Sequence, residues 1–122
     1  MNNLRFIFNC LEGKYEFNCE IKDTVIFSIE TDIEGLESKE GELDIDLSKK
    51  FLEEINNAQI EKWDRHYSAI NPIEDGVKWY VKYVSDDKEY VSDGEESYEP
   101  YNYEHLISAI MLCDDKANYF MI

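Results

Sequence analysis

Carboxylates are the side chains dense enough in this sequence to do chemistry. Twenty-eight Asp and Glu face 12 Lys and Arg, a formal net charge of −16 over 122 residues. They crowd into two groups. The first, between Glu30 and Leu47, holds Glu30, Asp32, Glu34, Glu37, Glu40, Glu42, Asp44 and Asp46 against Lys39 alone. The second holds Asp86, Asp87, Glu89, Asp93, Glu95, Glu96, Glu99 and Glu104.

Three chemistries use carboxylates at such density. Hard cations need oxygens converging on one point. Asp44-x-Asp46 and Asp86-Asp87 supply oxygens, but no EF-hand pattern is present, and alternate strand residues project side by side. Acid–base catalysis needs two carboxyls with separated pKa values, and in so acidic a chain pairs arise by chance. His66 and His105 lack ligand spacing with another His or Cys. A nucleophile–His pair can assemble in space without a sequence trace, but no Gly-x-Ser-x-Gly elbow or phosphate-cradling glycine loop occurs. The expectation is a non-enzymatic protein with no metal and no cofactor.

Electrostatic binding is the third. A strongly negative field repels nucleic acid and anionic membranes and speeds encounter with basic protein surfaces. Lys78 and Lys82 lie among acids, which argues against direct nucleic-acid contact. On a strand, Glu42, Asp44 and Asp46 would recur about every 6.6 Å on one face, the scale of a phosphate backbone. Glu30, Asp32 and Glu34 share that two-residue step. The expected partner-binding residues are Glu30, Asp32, Glu42, Asp44, Asp46, Asp86, Asp87, Glu95, Glu96 and Glu99. The competing reading is that acidity only maintains solubility.

The length predicts one domain over residues 1–122, and 43% hydrophobic with 14% aromatic residues predict an ordered core. Alternation places strands at 3–10, 15–22, 24–31 and 42–47, an antiparallel meander. Leu43, Ile45 and Leu47 would point inward on the fourth. Ser48 would cap a helix from Lys49 to about Ala69, with a weak point at Asn56-Asn57. Asn71-Pro72 would end that helix and Asp75-Gly76 would form a turn. A hairpin follows, 77–84 and 89–92, then a loop over 93–101 and a helix from Tyr103 to about Leu112 capped by Asn102. The predicted fold is α+β: an antiparallel sheet, four-stranded meander plus hairpin, with one long and one shorter helix packed on it. The apolar tail through Tyr119-Phe120-Met121-Ile122 predicts a final strand or a homodimer contact. Cys10, Cys19 and Cys113 lack framework spacing and read as reduced core residues. No signal-peptide pattern or membrane-length apolar run appears, so the expected location is the cytoplasm of a bacterial host.

Two resemblances bear on this. The set Trp63-x3-Tyr67, Asp75-Gly76-x2-Trp79, Asp93-Gly94, Tyr98, Pro100 and Leu106 resembles a pattern in small uncharacterised proteins of low-GC Gram-positive bacteria and their mobile elements. It covers about the last half of the chain and implies fold, with no activity. Here its late loop is altered by added acids, Glu95, Glu96 and Glu99. In size, acidity and α+β layout the chain also resembles phage-encoded anti-CRISPR proteins. That likeness implies an inhibitor that occupies a basic nucleic-acid channel of a Cas effector. Two alternatives stand beside it: an immunity protein for a basic toxic nuclease, and a small-ligand or nucleotide module built on the Trp79 and Tyr67 region.

Overall fold

The computed structural model describes residues 2–68, 77–95 and 100–120. Their seven strands form one sheet. They are β1 (Asn2–Cys10), β2 (Gly13–Ile21), β3 (Val25–Thr31), β4 (Lys39–Glu42), β5 (His66–Tyr67), β6 (Lys78–Ser85) and β7 (Lys88–Glu95). Their order is β4-β3-β2-β1-β6-β7-β5. Neighbours pair antiparallel except β5 and β7, which run parallel. The fold is α+β as expected, but the sheet is mixed.

The alternation in β1, β2, β3 and β6 sends one set of side chains to one face. Leu4, Phe6, Phe8, Tyr15, Phe17, Cys19, Val25, Phe27, Ile29, Trp79, Val81 and Tyr83 are buried there. Two helices and a 3-10 segment cover that face: α1 (Ile45–Ala58), α2 (Tyr103–Met111) and Asp115–Phe120. Phe51 of α1 lies 6.3 Å from Phe17, and Tyr103 of α2 lies 5.8 Å from Trp79. Phe120 packs 4.3 Å from Tyr15 and 4.6 Å from Phe8. The tail is therefore neither a final strand nor, at Phe120, an exposed dimer contact. Met121 and Ile122 lie outside the described residues.

The expected strand at 42–47 is overturned. β4 ends at Glu42, and α1 begins at Ile45. Asp44 is the helix cap, its carboxylate accepting the Leu47 N–H at 2.8 Å. Ser48, expected as the cap, is buried inside the helix. Its hydroxyl accepts the Val25 N–H at 2.9 Å and donates to the Leu43 carbonyl at 3.3 Å. That bridge takes the place of a ladder bond and turns the chain out of the sheet. Leu43-Ile45-Leu47 fits a two-residue period, but Leu47, Phe51 and Ile55 recur every fourth residue. The longer helical pattern wins, leaving Ile45 exposed.

α1 also ends earlier than expected. Gln59 takes a left-handed conformation (φ 53°), and the chain continues as a 3-10 turn, Ile60–Lys62. The weakness read at Asn56-Asn57 thus becomes a break three residues on. The expected features at Ala69, Asn71-Pro72 and Asp75-Gly76 fall outside the described residues. The β6–β7 hairpin turns on Asp86 and Asp87, both left-handed, as a two-residue hairpin requires. β7 runs on through Asp93-Gly94-Glu95, expected as loop. α2 matches its expected span within a residue, although the Asn102 side chain makes no cap bond.

Gly94 is needed where it stands: a Cβ there would lie 2.5 Å from the Trp79 indole. Gly94→Ala should cost about 2 kcal/mol through overpacking, measured by urea denaturation. Asp44→Ala should cost about 1 kcal/mol through loss of the cap, and the strand-favouring Asp44→Val should be no better. A stabilised valine variant would contradict the helix start.

Candidate functional site: the open face of the sheet

With helices on one face, no described element covers the other face of the sheet. Cross-strand register places its residues in rows. Glu30, Glu16, Ile7, Tyr80 and Asp93 form one row. Glu40, Ser28, Asn18, Arg5, Lys82 and Val91 form the next. Glu42, Ile26, Glu20, Asn3, Val84 and Glu89 form a third. Acids therefore flank a central basic column from β1 and β6.

That column is already engaged. The Arg5 guanidinium donates to Glu16 at 2.6 Å, and Lys82 pairs with Glu89 at 2.9 Å. The Arg5 hydrogen bond holds the Glu16 carboxyl below its ordinary range, with Lys14 at 4.0 Å assisting. Glu89 in turn raises Lys82. Among the described residues Glu20 pairs only with the exposed Lys22, at 3.6 Å. Glu30, Glu40 and Glu42 form no ion pair with a described residue, though Thr24 donates to Glu42. Glu30 also stands directly opposite Glu16, a like-charge pairing that costs stability. The uncompensated field lies on the β2–β3–β4 half. Two shallow hollows open there. One of about 510 Å³ is lined by Lys14, Glu16, Glu30, Thr31, Asp32 and Ser38. The other, about 470 Å³, includes Arg5, Asn18, Glu20, Ile26, Ser28 and Glu40.

The expected binding residues disperse over this frame. Glu30, Glu42 and Glu95 lie on the open face. Asp32 follows β3, its carboxylate taking the Lys14 N–H at 2.8 Å. Asp44 caps α1 and Asp46 sits in its first turn, so Glu42, Asp44 and Asp46 do not share a strand face. Asp86 and Asp87 form the β6–β7 turn. It lies at the same end of the sheet as Glu42, since the Asp86 N–H meets Asn2 at the start of β1. β4 and β6 are four strand spacings apart, roughly 19 Å. Glu96 and Glu99 lie outside the described residues. The face adds Glu16, Glu20 and Glu40, absent from the expected set. The outward phase of β2 marked the first two; Glu40 was read as loop.

Trp63, Tyr67 and Trp79 of the C-terminal pattern converge beneath the sheet, and Tyr98 lies outside the described residues. Trp79 is 2% exposed, with Trp63 at 6.0 Å and Tyr67 at 5.8 Å. Trp63 donates its indole N–H to the Ala58 carbonyl at 2.7 Å, tying the end of α1 to this cluster. Asp93 accepts from Arg65 and pairs with His66, fixing β5 against β7. Burial pushes the Asp93 carboxyl up, but those hydrogen bonds outweigh it and leave it lowered. His105 pairs with Glu54 at 2.8 Å, joining α2 to α1. Each of these contacts builds the fold. Burial raises the Cys19 thiol and pushes Cys113 up to about 12, so neither is a ready nucleophile. Cys10 is half-buried, 3.9 Å from the Tyr119 hydroxyl. Among the described residues no His, Cys, Asp and Glu group is placed to hold a metal ion, and no helix is long and apolar enough to cross a membrane.

Fold and face together define an α+β protein with one side of its sheet covered and an acidic open face. No protein-family model matches the chain, and no curated protein matches it significantly.

The lowered Glu16 carboxyl sets a pH dependence. Its folded pKa lies below its ordinary 4.5, so its pairing with Arg5 contributes stability above about pH 4.5 and loses it as pH falls through the lowered value. A double-mutant cycle of Arg5→Met and Glu16→Gln should give a favourable coupling at pH 7 that is lost once the pH has fallen below the lowered value. A coupling unchanged down to that pH would contradict the ion pair.

Proposed function

We propose that this protein is a non-enzymatic inhibitor of the anti-CRISPR kind, which sets its acidic sheet face into a basic nucleic-acid channel of a defence effector. One observation carries the reading: Glu30, Glu40 and Glu42 stand on a hydrogen-bonded sheet and form no ion pair with a described residue. A carboxylate held on a strand loses little entropy when a partner's Lys or Arg meets it, whereas a flexible acidic tail must be ordered first. The two-residue step from Glu40 to Glu42 keeps, on β4, the repeat of about 6.6 Å between like charges. Asp86, Asp87, Asp44 and Asp46 extend the negative field around one end of the sheet and assist steering. A basic toxic nuclease would meet the same face, and the identity of the captured protein separates the two partners.

The immobilised protein should capture a basic protein from bacterial lysate at about 50 mM salt and release it at about 500 mM, as screening shortens. Added duplex DNA should displace it, because both compete for one channel. The triple variant Glu30→Lys, Glu40→Lys, Glu42→Lys should fold with a melting temperature near the parent's and capture nothing. Capture that persists in the triple variant, or resists both salt and DNA, would remove the basis of this reading.

A further inference from the structure

β4 is an edge of the sheet. β3 pairs with it on one side, and no described strand pairs with it on the other. The Leu43 N–H donates to the Val25 carbonyl at 2.9 Å, which sets the phase of the ladder. Bonded pairs alternate with non-bonded ones in an antiparallel pair. In the register given, Gly41 and Lys39 therefore bond to Phe27 and Ile29. The backbone N–H and C=O of Glu40 and Glu42 point the other way, out of the sheet. The same two residues carry their carboxylates on the open face and are exposed.

Natural proteins guard such edges with lysines, prolines, bulges or a covering element. β4 has Lys39, but its open-face charges are both acidic. Those charges choose what can pair there. A second copy adding antiparallel about Gly41 would set Glu40 opposite Glu42, a repulsive pairing. A strand bearing cations meets attraction at the same positions, and its backbone finds donors and acceptors that no described residue uses.

We propose that an extended basic segment of the partner adds to β4 as a further strand. Its backbone bonds to Glu40 and Glu42, and alternate Lys or Arg side chains lie over the open face beside their carboxylates. This deepens the acidic-face reading and rests on it. Strand addition gives affinity through main-chain bonds and selectivity through alternate side chains. It also fixes register, which charge attraction alone does not.

The probe is a blocked peptide of about six residues alternating Lys with Thr. A second version is N-methylated at the nitrogens that would face β4, and a third at the opposite nitrogens. At low salt, hydrogen exchange followed by NMR should show the Glu40 and Glu42 amides slowed about tenfold or more by the first peptide. Methylation facing β4 should weaken binding about tenfold, the loss of two backbone hydrogen bonds, while the opposite methylation should matter little. Glu40→Pro removes the outward N–H and spares the β3 ladder, so it should weaken the peptide beyond the loss in Glu40→Gln. Equal affinity for all three peptides, protection centred on Glu16 and Glu30 instead, or no binding at all overturns the strand addition. Peptide binding without edge protection leaves the acidic-face reading standing. Edge protection with no partner captured from lysate counts against the inhibitor reading alone.

Discussion

One-sided cover of the sheet is the constraint from which the other features follow. α1, α2 and the 3-10 segment to Phe120 are enough to bury one face, so alternate residues of the strands must meet water. On a chain of net charge −16, that exposed face collects acids. Arg5 and Lys82 in the middle strands each take one neighbour, Glu16 and Glu89. The remaining field is displaced towards β3 and β4. Its asymmetry is a matter of strand order: Arg5 and Lys82 belong to β1 and β6, which are central, Lys14 of β2 stands 4.0 Å from Glu16, and the edge strand β4 has no cation on this face.

The Ser48 hydroxyl decides where β4 stops. By joining the Val25 N–H to the Leu43 carbonyl, it completes the β3 edge with a helix side chain. Asp44 then caps the helix that brings Ser48 into place. These two short polar side chains convert an acidic run into two functions. Glu40 and Glu42 remain on the sheet, and Asp44 and Asp46 complement the positive end of the helix dipole.

Much of the fold was legible in the sequence because strands with one buried face alternate cleanly. The inward sets of β1, β2, β3 and β6 are those the alternation assigns. The failures have local causes. At 43–47 two periods coincide over five residues, and only the Leu47-Phe51-Ile55 continuation separates them. β5 is two residues long and held by Asp93, Arg65 and His66, contacts made across 27 and 28 residues that no local pattern encodes. The candidate face was partly legible. Glu30 and Glu42 belong to the acidic run and the outward phase of β2 marks Glu16 and Glu20, but only the register places these strands side by side and joins the four on one face. Trp63 and Tyr67 pack on Trp79, whose ring leaves no room for a Cβ at Gly94, so these residues of the pattern serve packing.

Phe120 has a consequence for how the chain comes together. Its ring fills the space between Phe8 and Tyr15, and just before it Asp114 accepts the Tyr15 hydroxyl across 99 residues of sequence. Lys39 reaches the same aspartate at 3.4 Å. During synthesis the first hairpin emerges early, yet its aromatic face has no lid until the chain has been made through Phe120. Until then the rings of Phe6, Phe8 and Tyr15 are open to other chains. The hairpin itself is near charge balance, Arg5 and Lys14 standing against Glu12, Glu16 and Glu20, but the acids from Glu30 to Asp46 that follow it give unfinished chains like-charge repulsion. That charge thus keeps the unfinished sheet apart from its neighbours before the fold is complete.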